Sequence, residues 1–193
     1  MIVIASHIPP PNDQREDTTW DWEGIKIVGN SQCQGNANQD LIISLAMEFN
    51  VKALLNWTTF DYYTHFFAYL KSNRITDRLT MMFSGNHAWF MTQLFRDHSI
   101  PVIAKATDIP NSPVFIHKAI EQTGRPVSVG TMLSRFGHWI RVHESNSATE
   151  TFEGNDSFGK HPYNKIKKGG FYQYSWQYLK QNTVRRIILL ENK

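Results

Sequence analysis

Apolar residues recur along this chain in two rhythms, and the change from one to the other falls near residue 126. In the first half the spacing is helical. Leu41, Ile42, Ile43, Leu45, Ala46, Met47 and Phe49 are apolar nearly all the way round a helix, which predicts an interior helix from Gln39 to about Asn50 with Asn38 as its cap. Phe60, Tyr63, Phe67 and Leu70 fall at i, i+3, i+7 and i+10 and predict an amphipathic helix from about Phe60 to Asn73. A further helix is expected from His87 to Asp97 after a Ser84-Gly85-Asn86 turn, then a strand from Pro101 to Ala106. Ser112 and Pro113 open a helix that runs to Gln122.

Beyond Pro126 the pattern predicts strands at Val127 to Met132, His138 to His143, about Thr149 to Phe152, and Arg185 to Leu190. Gly169-Gly170 reads as a turn and Ser175 to Gln181 as a short helix. At the other end a strand at Ile2 to Ile4 precedes a proline-rich surface excursion from Ile8 to Asp17. An extended stretch follows from Trp20 to Val28, with Ile25 and Ile27 on one face, and Gly29 to Gly35 reads as a polar loop. Helices followed by strands, rather than alternating with them, predict an α+β fold.

Composition narrows the class. With 193 residues, 41% of them hydrophobic, and no internal repeat or linker, one domain spanning 1–193 is the simplest account. The longest apolar stretches, Leu41 to Met47 and Phe66 to Leu70, are far shorter than the roughly 20 residues a bilayer span needs, so no membrane span is expected. The opening Met1 to His7 carries no basic region and runs into Pro9, Pro10 and Pro11. It does not read as a secretory leader, and a cytoplasmic location is expected, with the cell wall reached only by another route. A net charge of +3 is too small to argue specific nucleic-acid binding. Lys160, Lys165, Lys167 and Lys168 beside aromatic residues read more simply as a solvated loop than as a substrate rim.

A single cysteine, Cys33, excludes an intramolecular disulfide and any zinc site built on cysteine pairs. His138 and His143, five apart, would face opposite sides of a regular strand, and no His-Glu-x-x-His run occurs, so neither a metal nor another cofactor is expected. Gly124 and Gly130 flank a strand and form no phosphate loop. The start of a buried helix, by contrast, stabilises a thiolate, a carboxylate or a reaction oxyanion through its unpaired N–H groups. A histidine opening a strand, His138, followed by Asn155-Asp156, has the order of a base and its orienting partner. Each residue also has a plainer explanation. Cys33 could be a packed thiol, His138 a core histidine, Asp40 a first-turn helix acid, and Asp156 a turn residue.

Five short motifs in order resemble the C39-like group of papain-fold cysteine peptidases. They are Asn30-Ser31-Gln32; Ser44-Leu45-Ala46-Met47; Gly124-Arg125-Pro126-Val127-Ser128-Val129-Gly130; Gly137-His138-Trp139-Ile140-Arg141-Val142; and Asn155-Asp156-Ser157-Phe158-Gly159. The resemblance runs from about residue 25 to 180. It implies a papain-like fold, a helical half packed against an antiparallel β-sheet, with the functional cleft between them. It further implies that His138 is the catalytic histidine, Asp156 the orienting acid and Gln32 the oxyanion-side glutamine, with Trp139 and Asn155 lining the substrate cleft. The nucleophile position, four residues before Ser44, falls on Asp40, while Cys33 lies seven residues earlier.

Three chemistries follow from that displacement. Cys33 with His138, Asp156 and Gln32 would transfer an acyl group from a peptide or amide. Asp40 with His138 would form a thiol-free hydrolytic pair acting on peptidoglycan, as in a phage lytic protein. The third is a catalytically inactive scaffold serving as a binding or inhibitory protein. The expected partner is a peptide or cell-wall polymer. Oligomeric state has no sequence signal.

Overall fold

The computed structural model describes residues 1–11, 33–75, 83–108, 112–133, 137–159, 169–182 and 186–193, together with the backbone of 20–22 and 25–27. Among these residues the order of elements is β1 (Ile2–Ile4), β2 (Trp20–Trp22), β3 (Ile25–Ile27), α1 (Cys33–Glu48), α2 (Thr59–Ser72), α3 (Ser84–Asp97) and β4 (Val102–Asp108). Then come α4 (Pro113–Thr123), β5 (Val127–Thr131), β6 (His138–Asn146), β7 (Thr151–Asp156), β8 (Gly170–Ser175), α5 (Trp176–Gln181) and β9 (Arg186–Asn192). The fold is α+β. Seven strands form one antiparallel sheet in the order β4-β9-β5-β6-β7-β8, with β1 alongside the later part of β6; β2 and β3 form a separate hairpin-like pair. No helix among the described residues is long and apolar enough to cross a membrane.

The sheet is covered on both faces. Leu41, Ile42 and Leu45 of α1 pack with the aromatic stripe Tyr62, Tyr63, Phe66 and Phe67 of α2 and with Phe90, Met91 and Phe95 of α3 against Val102, Ala104, Ile188 and Leu190. On the opposite face Ile116, Ala119 and Ile120 of α4 cover Val127, Val129, Ile140, Val142, Phe152, Ile187 and Leu189. Strand β9 explains how one sheet serves two cores. Its Ile187-Ile188-Leu189-Leu190 run sends alternate side chains to opposite faces, and a strand apolar on both sides is one covered on both sides. Helices α1 to α3 form the layer on one face of the antiparallel sheet, as the sequence reading of a helical half packed against it expects. The amphipathic face of α4 supplies the second layer.

Several boundaries differ from expectation for identifiable reasons. Helix α1 begins at Cys33, six residues before the predicted Gln39, so Asn38 is an interior residue and not a cap. The stretch Gln34 to Asp40 is polar yet wholly buried. It carries no apolar period, and its helicity is stabilised by tertiary hydrogen bonds that local pattern cannot show. Asn36 Nδ2 donates to Thr59 Oγ1 (3.1 Å), whose hydroxyl donates to Gln39 Oε1 (3.0 Å), and Gln39 Nε2 donates to the Trp57 carbonyl (2.7 Å). Asn38 Nδ2 donates to the Tyr62 hydroxyl (3.1 Å), which in turn bonds His87 Nδ1. Buried amides without such partners would cost roughly 1–3 kcal/mol each.

Helix α2 begins at Thr59 because Thr58 and Asp61 form a reciprocal capping box. Phe60, counted on its buried face by spacing, is 55% exposed, and Tyr62 and Phe66 take its place in the core. Helix α3 includes Ser84-Gly85-Asn86, read from sequence as a turn. Strand β7 runs on to Asp156, so Asn155 and Asp156 end a strand instead of forming a turn, and β8 follows Gly169 where only a turn was expected.

Candidate active site

Strand β6 opens at His138, and the residue before it determines how the chain arrives. Gly137 has φ +88°, a region that side-chain-bearing residues rarely adopt. Thr131 pairs with His138 across β5 and donates its hydroxyl to the His138 carbonyl (3.1 Å), fixing the strand end from the other side. Arg141 pairs with Asn155 across β7, so Asp156 falls opposite Ile140 and shares a face with His138. The imidazole Nε2 bonds Asp156 Oδ1 at 2.8 Å. Both residues are buried.

Asp156 is held by more than the histidine. Its Oδ1 also accepts the Phe158 N–H (3.1 Å), and its Oδ2 accepts the Tyr174 hydroxyl (2.6 Å). The Phe158 ring lies 6.2 Å from the imidazole.

Cys33 is the first residue of α1 and is half-buried. Its thiol hydrogen-bonds the His138 ring. With Nε2 turned to Asp156, the nitrogen that meets sulfur is Nδ1. Burial pushes the His138 pKa down, but the Asp156 charge and hydrogen bond, with a further contribution from Cys33, push it up to about 10.

The helix start behind Cys33 is tied to α2. The Gly35 N–H donates to the Tyr63 hydroxyl (3.2 Å), and a Cβ on Gly35 would come within 2.5 Å of the Tyr63 ring, so only glycine permits that approach. This bond satisfies one of the N–H groups that a helix start leaves without an intrahelical acceptor.

Asp40 occupies a different place from the one its alignment suggested. Seven residues, or nearly two turns, after Cys33, it lies on the same face of α1 about 10 Å deeper. There it meets Arg141 Nη1 at 3.3 Å and accepts the Asn155 side-chain N–H at 2.9 Å. All three are buried, with Arg141 at 0% exposure. Burial raises the Asp40 pKa, opposed by Arg141 and Asn155, and burial lowers that of Arg141, opposed by Asp40. Asn155 thus spends its amide on Asp40 within the interior, not on a cleft surface.

The three-element pattern is duplicated. Helix α1, strand β6 and strand β7 contribute Cys33, His138 and Asp156 to one layer and Asp40, Arg141 and Asn155 to the layer beneath. Trp139 is half-buried and packs against the helical core. Gln32 lies outside the described residues. Tyr174 and Phe158 were missed in the sequence, because a Gly-Gly turn reading concealed β8 and nothing local marks a tyrosine as the partner of a distant carboxylate.

A thiol, an imidazole and a buried carboxylate in contact define a Cys-His-Asp arrangement, able to form a thiolate-imidazolium pair. No protein-family model matches the chain, and no curated protein matches it. Among solved structures the chain is similar to xylellain, a cysteine protease from Xylella fastidiosa, at 13% identity and a TM-score of 0.40. That comparison covers 96% of this chain and 87% of the other.

Proposed function

We propose that the protein is a papain-like cysteine hydrolase that cleaves a peptide or amide bond, with cell-wall peptides as its substrate class. One observation carries the proposal: the thiol at the start of α1 bonds an imidazole whose other nitrogen is held by a buried carboxylate. His138 takes the Cys33 thiol proton as Sγ attacks the carbonyl carbon and forms the C–S bond. His138 then gives its proton to the leaving nitrogen as the C–N bond breaks, leaving a thioester. Water attacks that thioester, His138 takes its proton and passes it to Sγ as the C–S bond breaks, which releases the acid and restores the thiol. The oxyanion would be met by the backbone N–H of Cys33 at the helix start, with Gln32 as the side-chain donor that its place next to Cys33 suggests.

Asp40 enters this scheme as a structural partner of Arg141, which removes the reason for an Asp-His hydrolytic pair. Asn155, which donates to Asp40, is read with that pair.

The test is hydrolysis of a peptide panel that includes cell-wall stem peptides by wild type, Cys33→Ala and His138→Ala. Losses of at least about a thousandfold in kcat/KM are expected for both variants, since removing one member of such a unit disables the rest. A Cys33→Ala protein that retains wild-type turnover would defeat the proposal. A wild type that binds such peptides tightly but never cleaves them would favour the inactive-scaffold alternative.

A further inference from the structure

The geometry points to Tyr174 as a positioning residue for this site, its hydroxyl fixing the Asp156 carboxylate in the orientation that aims Oδ1 at His138. The inference rests on the hydrolase reading for its functional meaning. Its geometry stands apart from that reading.

A carboxylate can turn about its Cβ–Cγ bond, and a ring that depends on one of its oxygens turns with it. In Asp156 one oxygen serves two donors, the His138 ring at 2.8 Å and the Phe158 N–H at 3.1 Å, while the other has the Tyr174 hydroxyl at 2.6 Å. Donors to both oxygens fix the plane. Tyr174 is well suited to this because its own ring is fixed. It is 4% exposed, belongs to the core beneath α4, and stacks on Tyr178 with centroids 5.9 Å apart and planes 7° from parallel.

Register brings the hydroxyl to the right side of the sheet. Phe152 pairs with Tyr174 across β7 and β8, and Asp156 is four residues beyond Phe152, so the carboxylate and the phenol share a face. The carboxylate is fully buried, and removing this donor leaves Oδ2 without that bond in a place where water does not freely replace it. The carboxylate can then turn about its Cβ–Cγ bond, carrying Oδ1 away from the His138 ring. That turn weakens its hold on the imidazole and, through it, the contact between the ring and Cys33.

Tyr174→Phe keeps the ring and its stack and removes only the hydroxyl. Two readouts on the full chain are required: the rate of Cys33 alkylation by iodoacetamide as a function of pH, and kcat and KM on a cleaved peptide. The alkylation rate on the acid limb should fall about tenfold, as expected for losing a hydrogen bond to a charged group, as that limb moves to higher pH. The kcat should fall by a similar factor with KM within about twofold. In an Asp156→Asn background the same substitution should change neither readout further, because the hydroxyl acts through that carboxylate.

Wild-type alkylation behaviour in Tyr174→Phe would overturn the inference. So would a full additional loss in the Asp156→Asn background, or a lowered melting temperature with an unmoved pH profile, which marks a merely structural bond. If wild type hydrolyses nothing while alkylation responds as described, the hydrolase reading fails and the positioning role stands.

Discussion

The buried Asp40-Arg141 pair separates a structural from a catalytic role for Asp40 by stability alone. Asp40→Ala removes the carboxylate and leaves Arg141, at 0% exposure, with the Pro9 carbonyl at 3.1 Å and the Phe171 ring at 5.4 Å as its remaining partners among the described residues. Breaking one side of a buried ion pair costs about 3–5 kcal/mol because the other charge is stranded. At about 2–4 °C per kcal/mol for a domain of this size, the melting temperature should fall by roughly 6–20 °C.

Both members of the pair are shifted toward their neutral forms, and burial is the largest cause in each. The charges are therefore held against a desolvation cost that an apolar pair would not bear. The double variant Asp40→Leu/Arg141→Met should recover most of the loss. Calorimetry on the two single variants, the double variant and wild type measures the cycle directly. A catalytic Asp40 predicts the opposite, since removing a functional group from an active site commonly leaves stability unchanged or raises it. Asp40→Ala melting within about 2 °C of wild type, or a double variant no more stable than the single, would refute the structural assignment.

Other outcomes follow from neighbouring features. Gly137→Ala places a side chain at φ +88° and should destabilise by about 1–3 kcal/mol while slowing Cys33 alkylation, as the strand carrying His138 shifts; denaturant unfolding and labelling together check this. His143 is pushed down to about 4, by burial first and then by the Arg141 charge, so it is neutral when folded. Its contribution is complete above the unfolded value of about 6.5 and is lost as pH falls toward 4. His143→Phe should flatten the urea midpoint over that window. His138 has the opposite sign. Raised to about 10, it contributes stability that is complete below about 6.5 and is lost as pH rises through 10, and His138→Gln should abolish that alkaline decline. Arg125 clasps Glu48 through two bonds, at 2.8 and 2.7 Å, and also donates to Asn192 at 2.9 Å. Arg125→Ala should lower stability by about 1–3 kcal/mol, read from denaturant midpoints.

The α+β order, the helix spacing and the central strands were legible because each depends on period. Leu41 to Ala46 and the aromatic stripe of α2 announce buried helices, and Val127, Val129, Ile140 and Val142 announce strands. The candidate His138 and Asp156 were legible from motif order. What could not be read was the helical state of Gln34 to Gln39, since amides and glycine look like a loop until Thr59, Trp57 and Tyr62 are brought to them. That one error displaced the helix start from Cys33 to Gln39. Counting back from Ser44 reached Asp40, which shares a face of α1 with Cys33 because seven residues make almost two turns, and lies one layer deeper.

Strand β9 is the last described element of the chain, yet it lies between β4 and β5 in the sheet and feeds both cores. Until residues 186–192 emerge from the ribosome, β4 has no partner in the sheet and β5 has one open edge. Such open, apolar-faced edges are where newly made chains associate wrongly. Closure of the sheet between β4 and β5 is thereby deferred until residues 186–192 have been made, so the two cores are sealed together and not one after the other.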